Sequence, residues 1–293
     1  QNKEASGKAP AKVRVKKKSQ TKDIWRRFKK NKTAILGLII FTIIILVVIF
    51  ADFIVPGEVA LKQNISERLQ GVSVEHWFGT DNFGRDIFAR IVHGSRYSLL
   101  VGIGAVAIGI TIGGILGSVS GYFGGALDTF IVKSMDMVMS IPLMLLVLSI
   151  VTALGTSLVN VLIAMMIANI PQYTRIVRSA IVSVVDMDYI EAARACGAND
   201  FIIILQHVIP NAIGPIIVQA TMAVGTMIIN AAGISFLGMG IQPPTPEWGA
   251  MLNEGKSFMT TYPHVVIFPG LAIGLTALSL NLMGDGLRDA LDP

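Results

Sequence analysis

The sequence predicts an all-α integral membrane protein with six transmembrane helices, and three observations carry that expectation. The chain is 53% hydrophobic and only 15% charged, against about 25% charged residues in ordinary soluble domains. Its mean hydropathy is +0.65, and its apolar residues fall in runs long enough, as helix, to cross a hydrocarbon core of about 30 Å. Its basic residues crowd into one tail: residues 1–34 hold 13 of the 24 Lys and Arg against Glu4 and Asp23 alone, net +11. The remainder carries 11 basic and 17 acidic residues, net −6. Basicity therefore belongs to the tail, which argues against a nucleic-acid partner for the body.

The elements follow in order. Residues 1–34 read as a basic cytoplasmic tail. Within it Ile24, Trp25 and Phe28 lie inside one helical turn among basic residues, a pattern suited to a helix on an anionic leaflet. Residues 1–20 fit a disordered polybasic leash equally well. The charge-free run Ala34–Ala51 places a first span over 35–55; it is too extended, and its basic flank too long, for a cleaved signal peptide. Charges, Pro56 and Gly57 then mark 56–95 as an extracytoplasmic segment. A core of five further spans is expected over 96–286, followed by a cytoplasmic end, 287–293.

In that core, Tyr97–Leu127 holds the second span, where Gly109, Gly113, Gly117 and Gly121 recur every four residues. That spacing lines one helix face with glycine and lets another backbone approach closely. No charge occurs from Met137 to Gln172, which predicts a hairpin of two spans turning near Gly155-Thr156-Ser157. The polar stretch 175–210 follows, then a fifth span within Ala212–Phe236 and a sixth within Val265–Met283. Gly238–Pro263, with its prolines and Trp248, reads as a loop with an interfacial helix, Trp248 anchoring it at the membrane surface or contributing to a gate.

Orientation rests on the tail. Six spans starting inside put 18 of the 24 basic residues in the cytoplasm, as the positive-inside rule prefers. Without the tail the count is five inside against six outside.

Several chemistries are disfavoured. Cys196 is the lone cysteine and the four histidines are scattered, so no disulfide within the chain and no metal cluster is expected. The spans hold essentially no ionisable residue at depth, which ion-coupled transport normally needs. Gly249–Ser257 has five residues between its glycines where a P-loop has four, and it follows no predicted strand. Energy for uphill transport would have to enter from outside the bilayer.

The most informative polar stretch is Tyr189–Pro210. Tyr189–Cys196 suits a short helix broken at Gly197, with a second helix capped by Asn199 or Asp200 and ended, or followed by a new span, at Pro210. Small Ala192, Ala193 and Ala195 beside Glu191 and Arg194 make a compact knob able to enter a groove on another protein.

This stretch resembles the EAA loop of permease subunits in ATP-binding-cassette importers, with Glu191, Ala192, Ala193, Gly197 and Pro210 in register; His207 and Ile209 depart from the pattern. Phe78–Asp86 resembles the Gly-Thr-Asp-x-x-Gly-Arg-Asp block of oligopeptide and dipeptide permeases. Gly121–Gly125, Asp136 with Ser140–Pro142, Ser235–Gly238, Pro246–Gly249 and Gly284–Pro293 extend the likeness over roughly residues 25–293. Together with the basic tail, these blocks resemble the second, C-type, permease of such systems.

The resemblance implies a type I importer permease fold with a cytoplasmic coupling helix, in a non-catalytic subunit of an ATP-hydrolysing translocase. Its partners would be a sister permease, two ATPase subunits that bind ATP and Mg, and an extracytoplasmic solute-binding protein. No cofactor or metal is expected in this chain. Coupling would fall to Glu191, Ala192, Ala193 and Gly197, aided by Tyr189, Arg194 and Pro210. Glu191 would cap or pair within the knob, the alanines would give close contact, and Gly197 the sharp turn. Gly79, Thr80, Asp81, Gly84, Arg85 and Asp86 would form a hydrogen-bonded scaffold at the outer face. Peptides are the expected cargo, with nickel, a metal chelate or glutathione as alternatives; a passive channel or a peptide sensor is the reading from outside this class.

Overall fold

The computed structural model describes residues 20–291; the tail before residue 20 and residues 292–293 lie outside them, and with them most of the stretch for which a polybasic leash was one expectation. Among the described residues the secondary structure is helical, with one isolated bridge between Thr80 and Asp86.

Helix α1, Gln20–Phe28, is strongly amphipathic and ends just before α2, Lys32–Ile49. Asn31 sets that start: its side-chain oxygen accepts from the amides of Thr33 and Ala34, and its amide nitrogen donates to Asp289 at 2.9 Å. Short helices α3 (Ala51–Ile54) and α4 (Gly57–Leu61) lead into the segment before α5.

Helix α5 runs from Ile87 to Phe123, beginning ten residues before the expected second span. Charges delayed the sequence-based start, yet each finds at least one partner in the fold. Asp86 caps it by accepting from Ala89 N at 2.7 Å. Arg96 bonds Val48 O and Asp52, and Arg90 enters the ionic cluster described below.

The expected hairpin over 137–172 is divided differently. α6 (Gly125–Met139) and α7 (Leu143–Leu154) meet at an 81° bend at Ser140-Ile141-Pro142. Proline lacks the amide to continue α6 and restrains the residue before it. α7, at 12 residues, is too short to cross alone. Its turn into α8, Leu158–Val185, does fall at Gly155, whose φ of +90° suits glycine, and Ser157 caps α8.

Beyond α8 come α9 (Asp188–Ala195), α10 (Asp200–Ile203), a π-helical turn at Ile204–Val208 and α11 (Ile209–Phe236). The last three are continuous over 37 residues, Asp200–Phe236. α12 (Trp248–Gly255) and α13 (His264–Leu291) complete the chain.

Four helices are long and apolar enough to cross a membrane: α2, α5, Asp200–Phe236 and α13; the bent α6–α7 pair would make a fifth. α8 has the length, but Asn160, Asn169, Gln172, Arg175 and Arg178 dilute its apolar character. The six-span reading is therefore matched by four spans plus a broken one, with α8 polar along half its length. Arg175 and Arg178, expected in a cytoplasmic loop, belong to this helix. They bind α6: Arg178 reaches both oxygens of Asp128 at 2.6 and 2.7 Å, and Arg175 reaches Asp136 at 2.6 Å.

The core sits where α5, α7, α8 and α11 meet, around Val106, Val147, Met165, Tyr173, Met227 and Ile234. α5 packs most extensively on α8, and its glycine face makes that approach possible. A Cβ on Gly109 or Gly113 would lie 2.8 Å from Tyr173, on Gly117 2.5 Å from Thr174 O, and on Gly121 3.0 Å from Arg178 O. Gly114, one position off that face, has nothing within 4 Å. Gly117→Ala is expected to lower stability by about 1–3 kcal/mol, because backbone must shift, whereas Gly114→Ala should be neutral or slightly stabilising. Thermal unfolding of the two purified variants in one detergent checks this.

Candidate functional site

Two places in the fold gather the residues singled out above. At the first, α9 is a short helix held rigidly from below. Ile190 is fully buried among Tyr122, Ile181, Val184, Ile203 and Val208, with half-buried Ala193 against the same cluster. Tyr122 O–H donates to Asp200 at 2.6 Å, and the Arg194 guanidinium lies 5.2 Å over the Tyr122 ring. α5, α9 and α10 are thereby pinned together.

Gly197 ends α9 at φ +79°, with Gly197 N donating to Arg194 O and Ala198 N to Ala193 O. An added Cβ would meet nothing within 4 Å, so this glycine answers a conformational need and not a spatial one. Asn199 then caps α10 by accepting from Phe201 N at 2.7 Å.

Tyr189, Glu191, Ala192 and Arg194 stand on the exposed side of α9. Glu191, expected to cap or pair within the knob, does neither: its side chain has no hydrogen-bond or ion-pair partner among the described residues. The amide at the helix start is bonded instead by backbone, Glu191 N to Met187 O. Pro210 stands in the first turn of α11, as the reading that it opens the next span has it, but α11 follows the π turn without a break. The π turn before it absorbs an extra residue, so the missing proline amide is tolerated inside a continuous helix.

The second gathering is the block Gly79–Asp86, expected at the outer face. Thr80 is buried, its hydroxyl donating to Glu67 O while accepting from Gln70 N. Gly79 and Gly84 adopt φ of +78° and +71°, and a Cβ on Gly84 would strike Asn64 O at 1.7 Å. Asp81 Oδ1 accepts the amides of Phe83 and Arg85. Its Oδ2 accepts from Arg85 Nε at 2.6 Å and Arg90 Nη1 at 2.5 Å. Glu254 Oε2, from α12, closes the cluster by accepting from Arg85 Nη2 and Arg90 Nη1, both at 2.8 Å. Two guanidiniums, each 1% exposed, thus face two carboxylates. Asp86 both caps α5 and meets His76 Nδ1 at 2.8 Å. The block ties the start of α5 to α12 and, through His264 and Thr80 O at 3.3 Å, to α13.

Sequence reasoning missed Arg90 and Glu254. Arg90 looked like an ordinary charge outside a span, and Glu254 lay in the stretch weighed and set aside as a P-loop. That stretch is α12 with a 3-10 turn, and Gly249 serves packing, its Cβ position lying 2.6 Å from Ala232. Trp248 is not at an interface either. It is 2% exposed, with Nε1 donating to Ile91 O at 3.0 Å. Its neighbour Glu247, also missed, is buried as the cap of α12 and accepts from Ser98, Gly249 and Ala250.

Comparison with known proteins agrees with this architecture. Residues 96–293 match the family of binding-protein-dependent transport system inner membrane components, and residues 19–71 the N-terminal transmembrane domain of oligopeptide transport permease C. The dipeptide transport system permease protein DppC of Alkalihalophilus pseudofirmus is 48% identical over 275 residues, 94% of this chain and 90% of that one. The glutathione transport system permease protein GsiD of Escherichia coli is 45% identical over 271 residues, 92% and 89% of the two chains. A chain of the inward-facing MetNI methionine ABC transporter shares the fold at TM-score 0.58 and 18% identity, covering 70% of this chain and 97% of that one. The helical architecture and these matches together make the chain a member of the binding-protein-dependent transport system inner membrane component family, an integral permease subunit of the inner membrane.

Proposed function

We propose that this permease passes peptides through an ATP-driven importer, α9 seating in a groove on an ATPase subunit. The observation that carries the reading is the build of α9, buried on one side by Ile190 and bare on the other at Glu191 and Ala192. A helix left bare on one side, yet pinned on the other so that force on it reaches α5, α8 and α11, is suited to transmit a partner's movement. Closure of two ATPases on ATP would push α9 and switch the pathway from inward- to outward-facing, a rigid-body form of alternating access. In this reading two ATPases lie below, a sister permease lies alongside, and a solute-binding protein docks outside near the Gly79–Asp86 block.

Peptide cargo is supported by the dipeptide permease at 48% identity. Glutathione is the second reading, favoured by relatives at 45%; as a tripeptide it is chemically close to the first. Purification from the native membrane followed by identification of accompanying chains tests the assembly. A sister permease and ATPase chains are expected; isolation of this chain alone and intact would sink the proposal and favour a channel or sensor. Uptake of labelled dipeptide in competition with glutathione then separates the two cargoes.

Orientation has its own test. Cys196 is exposed beside Gly197. With both termini cytoplasmic, it should react with a membrane-permeant maleimide and resist an impermeant one in intact cells. Labelling of intact cells by the impermeant reagent would reverse the topology.

A further inference from the structure

Where α1 crosses the ends of α2 and α13 it roofs a groove of about 300 Å³ lined by Ile24, Trp25, Phe28, Leu38, Met283 and Leu287. Every lining side chain is apolar. The surroundings are the reverse: Lys22, Arg26, Arg27, Lys29, Lys30 and Lys32 are all exposed around it, against Asp23 alone in residues 20–32. Asp23 is paired with Arg26 at 3.1 Å, and Asp289 on α13 is held by Asn31.

We propose that this groove holds an acyl chain of an anionic phospholipid, whose phosphate meets the basic residues of α1. Depth supports the assignment. Lys32 opens the spanning helix α2, and Leu38 lies six residues further on, roughly 9 Å deeper at 1.5 Å per residue. The groove's mouth therefore sits among headgroups and its floor among hydrocarbon. Trp25, 48% exposed and stacked on Phe28 at 5.7 Å, occupies the level where tryptophan collects in membrane proteins. Phe28 itself is 3% exposed, packed with Ala34 and Ala290, so the roof is fixed to the spans. Apolar lining selects a hydrocarbon chain, and the cationic rim selects a negative headgroup over a zwitterionic one.

The test uses the full chain, purified from native membrane with its accompanying subunits and reconstituted in phosphatidylcholine vesicles. Phosphatidylglycerol or phosphatidylcholine brominated at mid-chain is added at matched fractions. The Trp25 signal is taken as the difference between wild type and Trp25→Phe, since Trp77 and Trp248 also emit. Brominated phosphatidylglycerol should quench Trp25 at a several-fold lower fraction than brominated phosphatidylcholine. Arg26→Gln with Lys29→Gln, both exposed, should erode that preference by about fivefold per charge at most. Equal quenching by the two lipids would mean bulk contact only. Quenching by neither would mean that protein covers the groove. Either result overturns the proposal.

Discussion

Glu254→Ala is expected to destabilise the protein by about 3–5 kcal/mol, the range for stripping one partner from a buried ionic group. Arg85 and Arg90, each 1% exposed, would be left sharing Asp81 alone. Two guanidiniums cannot be desolvated against one carboxylate without an uncompensated charge, and Arg90 Nε and Nη2 already lack hydrogen-bond partners among the described residues. The midpoint of thermal unfolding should fall on the order of 10 °C, with lower yield from the membrane. Glu75→Ala, on the exposed part of the segment before α5, should change stability by less than about 0.5 kcal/mol. The double variant Arg90→Met with Glu254→Met keeps Asp81 and Arg85 as a balanced pair and should recover part of the loss. If Glu254→Ala unfolds like wild type, the four groups do not act as one unit. The cluster's place explains its consequence: it locks the start of α5 onto α12, so its loss would loosen that end of the bundle.

Gly197→Pro and Glu191→Lys are expected to cut transport severely while leaving the chain in the membrane. Proline fixes φ near −65° where Gly197 requires +79°, and it removes the amide that donates to Arg194 O at 2.9 Å. The turn after α9 would open and the knob lose its set orientation. Glu191→Lys is the cleaner probe. Its side chain is exposed and has no partner among the described residues, so folding stability should stay within about 0.5 kcal/mol of wild type while the surface proposed to meet an ATPase reverses charge. A coupling energy of ~1–3 kcal/mol corresponds to about 5–150-fold, and peptide uptake should fall within that range or below detection. ATP hydrolysis by the complex should persist without stimulation by cargo. Normal uptake by both variants would remove α9 from the coupling path.

Several features were legible without coordinates because they depend on local chemistry. The glycine period on α5, the turn at Gly155, the short helix ended by Gly197 and the cap at Asn199 are each written in a few neighbouring residues. Glycine alone tolerates left-handed backbone, and side-chain caps act within three positions. The apolar runs likewise marked α2, α11 and α13.

What escaped was decided by contacts between segments far apart in the chain. Arg90 and Arg96 gave the wrong start to α5 because a sequence assigns each charge a hydration cost, whereas the fold supplies Asp81, Glu254 and Asp52 as partners. Arg178 was placed in a loop for the same reason, though Asp128 receives it at the α6–α8 contact. Trp248 read as an interfacial anchor, since nothing nearby in sequence announces that Ile91 O will accept its indole N–H. The sequence by itself determined a membrane-embedded helical permease and the position of its exposed knob, because hydropathy and turn chemistry are local. Only the tertiary structure decided which charges enter the helices, since a buried charge depends on partners that distant residues bring.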